Sequence, residues 1–285
     1  MAESARTCDF KTHGSGGRAN VAHDIQDLII QSSLEKIKHK LMIMSGKGGV
    51  GKSSIAANIA VTLSNRGLKT GLMDVDLHGP SIAGIMGLSG LLDVVNGKFM
   101  QPKAFSENLK LVSMASLMQD ENQAIIWRGP AKIGAIRQFI ADVKWDNLDY
   151  LIIDSPPGTG DEPLTVAQTI PDAEAIIVTT PQEVSLADVR KSINFCRHVN
   201  MKVLGLIENM GTFTCPHCGE PVDLFKKDGG RATAEQMSVP FLGTIPFYQD
   251  MVKACDDGKP VMSNKVNSQL HEAFEEITRK IIEKS

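Results

Sequence analysis

One stretch limits the possible folds of this chain more than any other: Met42-Ile-Met-Ser-Gly-Lys-Gly-Gly-Val-Gly-Lys-Ser-Ser54. An apolar run leads into a glycine-rich turn that ends in Lys52-Ser53, and residues 55–63 have the composition of a helix. Gly46, Gly51, Lys52 and Ser53 meet the phosphate-loop pattern G-x-x-x-x-G-K-[ST], with residues 41–44 as the buried strand before it. Glycines at 46, 48, 49 and 51 let successive backbone N–H groups turn inward on an anion at the positive end of the helix. The expected nucleotide-binding set is therefore Gly46, Lys47, Gly48, Gly49, Val50, Gly51, Lys52, Ser53 and Ser54. Lys52 is expected to reach the β- and γ-phosphates, and the Ser53 hydroxyl to bind Mg²⁺.

A strand–loop–helix unit of this kind belongs in an α/β protein, and the rest of the chain agrees. Apolar runs at 72–75, 109–114, 150–154, 175–180, 203–208 and 241–245 alternate with helical patterns at 185–199 and 267–283. A further helix is expected after Trp127-Arg-Gly-Pro130, entered through its proline. This alternation predicts a doubly wound, mostly parallel sheet with helices on both faces. Residues 1–20, with Gly14-Ser-Gly-Gly17, read as a flexible tail, and residues 21–40 as a helical lead-in to the first strand. Residues 21–285 are expected to form one domain, with an insertion at about 212–232.

Two acidic stretches fall where such sheets bind ligands, at the carboxyl ends of strands. Asp74-Val-Asp-Leu-His-Gly-Pro-Ser81 follows a short strand after the turn Gly67-Leu-Lys-Thr-Gly71, and places Asp74 and Asp76 within reach of Mg²⁺ or an attacking water. Tyr150-Leu-Ile-Ile-Asp154 has the unbroken apolar character of a strand covered on both faces. Its terminal Asp154 is placed as the Walker B carboxylate for Mg²⁺. The following Ser-Pro-Pro-Gly-Thr-Gly160 is expected to sense the γ-phosphate.

Charge and composition narrow the partners. A net charge of −3 gives no support to nucleic acid or an anionic membrane as the principal ligand. No stretch approaches the roughly 18 apolar residues of a membrane span, so a cytoplasmic location is expected. The five cysteines (Cys8, Cys196, Cys215, Cys218 and Cys255) do not form a disulfide framework. Cys215 and Cys218 lie in Phe213-Thr-Cys-Pro-His-Cys-Gly219, a Cys-x-x-Cys pair supplying two thiolates where zinc or an iron–sulfur cluster generally takes four ligands. A redox dithiol, a zinc site completed elsewhere in the chain and a site shared by two copies all use such a pair. The helix breakers around it suit a knuckle turn better than a thioredoxin-like helix start, and a two-fold axis would complete the set simply.

The loop carries an extra lysine, Lys47, and so resembles the deviant Walker A motif of the MinD/ParA-like and nitrogenase-iron-protein-like dimerising ATPases. Within that group, the stretches 74–81, 127–130, Asp154–Asp161, Thr179-Thr-Pro-Gln182 and Glu208-Asn-Met210, together with Cys215 and Cys218, resemble the Mrp/ApbC/Nbp-type iron–sulfur cluster carrier ATPases over about residues 38–282. The resemblance implies a homodimer in which Lys47 reaches the partner's phosphates, Asp76 positions the attacking water, and Asp74 and Asp154 support Mg²⁺. It further implies that Asn209 and the backbone near Pro246 hold adenine, and that Cys215 and Cys218 of two subunits bind a bridging 4Fe-4S cluster. Slow ATP hydrolysis, a cluster-assembly scaffold as donor and apo iron–sulfur proteins as acceptors are implied with it. The chain departs from the Nbp branch in carrying only Cys8, rather than a four-cysteine motif, before the P-loop. The alternatives are a MinD/ParA-like positional ATPase and a zinc-bridged nucleotide-binding dimer.

Overall fold

The computed structural model describes residues 16–77, 79–95, 99–117, 129–215, 217–222, 228–263 and 268–285. Its centre is an eight-stranded sheet. In chain order the strands are β1 (Ile37–Ser45), β2 (Thr70–Asp74), β3 (Asp93–Val95), β4 (Phe99–Gln101), β5 (Lys103–Ser106), β6 (Leu109–Ser113), β7 (Leu148–Asp154), β8 (Glu174–Thr179), β9 (Val203–Glu208), β10 (Phe213–Thr214), β11 (Pro221–Val222) and β12 (Phe241–Thr244). The main sheet runs β12-β9-β8-β1-β7-β2-β6-β5, parallel throughout except for β5, which pairs antiparallel with β6 at the edge. The short pairs β3–β4 and β10–β11 stand apart from it.

The central strands are apolar at every position because both faces are covered. In β1, Met42 and Met44 join one core while Leu41 and Ile43 join the other, and in β7 Leu151 and Ile153 are likewise divided from Tyr150 and Ile152. A strand's period of two sends alternate side chains to opposite layers. On one face lie α1 (Gly16–Leu34), α4 (Gly129–Asp142), α5 (Asp161–Thr169) and α6 (Glu183–His198). On the other lie α2 (Lys52–Asn65), the short α3 (Ile82–Ile85), α8 (Gln249–Asp256) and α9 (Ser268–Lys284). The remaining helix, α7 (Gly229–Gln236), packs on β9 beside α6. In α9, Leu270, Phe274, Ile277 and Ile281 are buried at the i, i+4, i+7, i+11 spacing expected of a core-facing helix, and they cover α2 and β12.

Three local expectations are corrected. The helix before the first strand begins at Gly16, inside the expected tail, and ends at Leu34, so that residues 37–40 already belong to β1. Gly71 is not part of the turn but sits within β2, where an added Cβ would lie 2.7 Å from Leu148 and 2.9 Å from Trp145. Packing of the buried Trp145 thus requires glycine there. The described residues of 87–123, a stretch expected to hold one strand, form four. Cys8, Trp127 and Arg128 lie outside the described residues.

Candidate nucleotide site and cysteine pair

The P-loop leaves the carboxyl end of β1 and enters α2 at Lys52. Two of its glycines are required by close approach. A Cβ on Gly46 would lie 2.5 Å from the carbonyl carbon of Asp188 on α6, and one on Gly51 would lie 2.3 Å from Nδ2 of Asn209, at a backbone φ of +80°. No side chain caps the start of α2, so its first N–H groups are left for an anion.

Behind the loop lies a buried charged cluster. The Lys52 ammonium donates to Asp154 Oδ1 at 2.5 Å and to Ser53 Oγ at 3.3 Å, with Lys52 7% and Asp154 0% exposed. Asp154 pairs in register with Asp74 on the adjacent strand, so the two acids stand side by side at the sheet's carboxyl edge. Burial, and then the Asp154 charge, push the Asp74 carboxyl up to about 7. Burial raises Asp154 also, against the opposing pull of Lys52.

The two acids are bonded differently. Asp74 Oδ1 accepts from the Asp76 N–H, and Oδ2 from the Ile82 N–H and the Ser113 hydroxyl. Asp74 thereby ties down the loop that carries Asp76, whose own Oδ1 accepts from the Gly79 N–H. β2 ends at Asp74, which places Asp76 beyond the strand rather than on its face. Asp154 Oδ2 is buried with no hydrogen-bond partner. A buried carboxylate oxygen left open beside a serine hydroxyl is a hard donor set of the kind Mg²⁺ takes, so Ser53 and Asp154 fit the metal. The loop at 155–160 lies against β1 through Ser155 N–H to Ile43 O and Gly158 N–H to Ser45 O, within the same edge.

A pocket of about 250 Å³ opens beside the start of α2, lined by Gly51, Ser54, Asn209, Pro246, Tyr248 and Cys255 among others. Asn209 is buried and donates from Nδ2 to Val50 O at 2.9 Å, which fixes it against the P-loop. Asn209 and Pro246, expected at an adenine, thus line one cavity next to the phosphate loop. Phe247 and the face of α8 that carries Met251, Val252 and Cys255 also line it, and were not anticipated. An eight-residue helix is too short for a periodicity window, and Pro246 followed by an acid in the first turn was the only signal of its start.

The cysteine pair lies on the β10–β11 hairpin. The Cys215 N–H donates to Glu220 O, and the Gly219 N–H to Cys215 O, at 2.9 Å each. Gly219 takes φ +73°. This is a knuckle-like turn, not a helix start. Cys215 is half-buried and Cys218 exposed. The backbone N–H groups of Cys218 and His217 hold the Cys215 thiol below its ordinary range. The other described cysteines are elsewhere: Cys196 is buried in contact with Met44 Sδ, its thiol pushed up to about 12, and Cys255 borders the pocket beside α2. Among the described residues no three His, Cys, Asp or Glu side chains converge as a metal set.

Residues 36–282 match the family model described as ParA, NUBPL iron-transfer P-loop NTPase. The chain is 45% identical over 260 residues to the iron-sulfur cluster carrier protein of Methanocaldococcus jannaschii, covering 91% of this chain and 89% of the relative. It is 44% identical over 262 residues to the cytosolic Fe-S cluster assembly factor CFD1 of Saccharomyces cerevisiae, covering 88% and 89%. Among solved structures, a nucleotide-binding protein of Archaeoglobus fulgidus in complex with ADP superposes with a TM-score of 0.74 at 37% identity, covering 87% of this chain and 96% of that one. The cell division ATPase MinD of Pyrococcus furiosus shares the fold, with a TM-score of 0.63 at 23% identity and coverage of 87% and 99%. With its phosphate loop, acidic strand ends and matched span, the chain belongs to the ParA/NUBPL family of iron-transfer P-loop NTPases.

Proposed function

We propose that this protein is an ATP-binding and ATP-hydrolysing iron–sulfur cluster carrier, which holds a 4Fe-4S cluster between two subunits and delivers it to apoproteins. One observation carries the reading: Cys215 and Cys218 lie on a solvent-facing turn with no third ligand converging on them among the described residues, on a P-loop NTPase scaffold. Two thiolates are half a cluster set, and two copies about a two-fold axis supply four. The names of the relatives, cluster carrier and cytosolic assembly factor, support the same cargo and a cytoplasmic location. A cluster-assembly scaffold would be the donor.

In the nucleotide site Lys52 leaves Asp154 for the β- and γ-phosphates, and Ser53 and Asp154 hold Mg²⁺, with Asp74 supporting the site from the neighbouring strand. Bound there, the metal neutralises phosphate charge. Asn209 and the backbone at Pro246 hold the base. Asp76, on the loop tied down by Asp74, orients the water, and Lys47 of each subunit reaches the other's phosphates. Loss of the γ-phosphate then frees the loops at 74–81 and 155–162, and with them the closed dimer. The exchange needs about 5.5 kcal/mol of differential binding to move from mostly open to mostly closed, a sum within reach of several charge-assisted contacts.

Anaerobic reconstitution with iron and sulfide tests the cargo. Wild-type protein should take up a labile cluster, and Cys215→Ser and Cys218→Ser should not; uptake unchanged in both variants would remove the proposal. Transfer to an apo-acceptor with and without MgATP tests the coupling.

A further inference from the structure

The hairpin that carries Cys215 and Cys218 is built onto the wall of the nucleotide pocket. Its strands, β10 and β11, are two residues each. A hairpin so short has marginal stability of its own in water, so the position of its thiols is set by whatever its base rests on.

That base is the segment 245–248. The Gly211 N–H donates to Ile245 O at 3.0 Å, with no room for a Cβ on Gly211, which would meet Thr244 at 2.4 Å. The Phe247 N–H donates to Thr212 O at 3.2 Å, and Phe213 and Phe247 form a parallel β-bridge. Their rings meet edge to face, centroids 5.9 Å apart at 71°. Phe247 itself lines the nucleotide pocket between Pro246 and Tyr248, while Phe213 is two residues from Cys215. Farther along the chain, the Gly230 N–H of α7 donates to Glu208 Oε2 at 2.6 Å, one residue before Asn209. The entry side of the cysteine insertion is therefore fastened to Phe247, a residue of the pocket wall.

From this we infer that Phe213 is a positioning residue: through its contact with Phe247 it transmits occupancy of the base pocket to the Cys215/Cys218 turn within a single chain. The inference rests on the reading of the pocket as the base site. A base seated against residues 246–248 restrains Phe247, and the ring pair passes that restraint to a hairpin too short to hold itself. By linkage, any ligand that orders the thiol turn strengthens nucleotide binding by the same factor.

Cys255 provides an internal control, since it borders the pocket and a nucleotide seated there would shield it directly. The full chain is alkylated with iodoacetamide, with and without saturating MgADP, and the rate at each cysteine is read by peptide mass spectrometry. In the wild type, MgADP should slow alkylation of Cys255 and also slow that of Cys215 and Cys218 about fivefold or more, a typical coupling factor. The protection should be unchanged on tenfold dilution of protein, which separates it from dimer closure. In Phe213→Ala the protection of Cys255 should remain and that of Cys215 and Cys218 should vanish. Phe213→Leu, which keeps most of the apolar volume, should show the same loss in part and serves if the alanine variant does not fold. Cys255 shielded while Cys215 and Cys218 are unaffected in the wild type, or equal protection of all three in wild type and variants, overturns the inference alone. Absence of shielding at Cys255 would show that the pocket is not the base site, and the inference falls with that reading.

Discussion

Replacing Lys52 by methionine should destabilise the nucleotide-free protein in a pH-dependent way, because Lys52 neutralises a carboxylate with no access to water. The ammonium lies 2.5 Å from Asp154 Oδ1, and Asp154 is fully buried beside Asp74. At that distance, and an effective dielectric of 20, the attraction is about 7 kcal/mol. Desolvation of the two ions takes back several kcal/mol, so the pair adds little net stability, but removal of one partner costs about 3–5 kcal/mol. The variant can escape that cost by protonating Asp154. Lys52 is what opposes the upward shift of this carboxyl, and its loss raises the folded-state value further above the unfolded one of about 3.9. Between those two values the folded variant binds a proton that the unfolded chain has lost, so its stability falls as pH rises through the window. The loss relative to wild type should therefore be small at pH 5 and reach about 3–5 kcal/mol at pH 8. Urea unfolding of both proteins at the two pH values measures it. The double variant Lys52→Met/Asp154→Asn, with no charge to strand, should recover most of the loss at pH 8. An equal loss at both pH values, or a double variant no more stable than the single one, would refute the reasoning.

Three other outcomes are expected. Gly51→Ala sets a side chain at φ +80° against Asn209 Nδ2, and should cost about 1–3 kcal/mol of stability and at least about tenfold in ADP affinity by calorimetry. Asp74, at about 7 in the folded state against about 3.9 unfolded, is protonated only in the native protein between those values, so apo-protein stability should decline from pH 4 to pH 7; urea midpoints of Asp74→Asn should show a flatter decline. Iodoacetamide at neutral pH should modify Cys215 first, Cys255 more slowly because burial raises its thiol, and Cys196 only on unfolding; peptide mapping over time reads the order.

Much of the nucleotide site was legible because its chemistry is local in sequence. Eight consecutive residues form the phosphate loop, and Asp74 and Asp154 each close an apolar run whose character announces a buried parallel strand. The pocket beside the phosphate loop was less legible. Asn209, Pro246 and α8 come together only because β9 and β12 are neighbours in the sheet, and nothing in the pattern of α8 distinguishes a pocket wall from a surface turn. The strands at 93–106 were missed for a different reason: they are short and largely exposed, so no alternation of apolar and polar residues marks them.

Sequence alone determined the fold class, the phosphate-loop pattern and the presence of a Cys-x-x-Cys pair, because glycine positions, strand periodicity and cysteine spacing are properties of neighbouring residues. The tertiary structure decided what those parts do to one another. It set the Lys52 ammonium on Asp154 instead of in open solvent, engaged both oxygens of Asp74 while leaving one of Asp154 open, and seated the cysteine hairpin on Phe247. Each of these depends on which strand ends meet at one sheet edge, and that follows from the order of strands in the sheet, which no local pattern encodes.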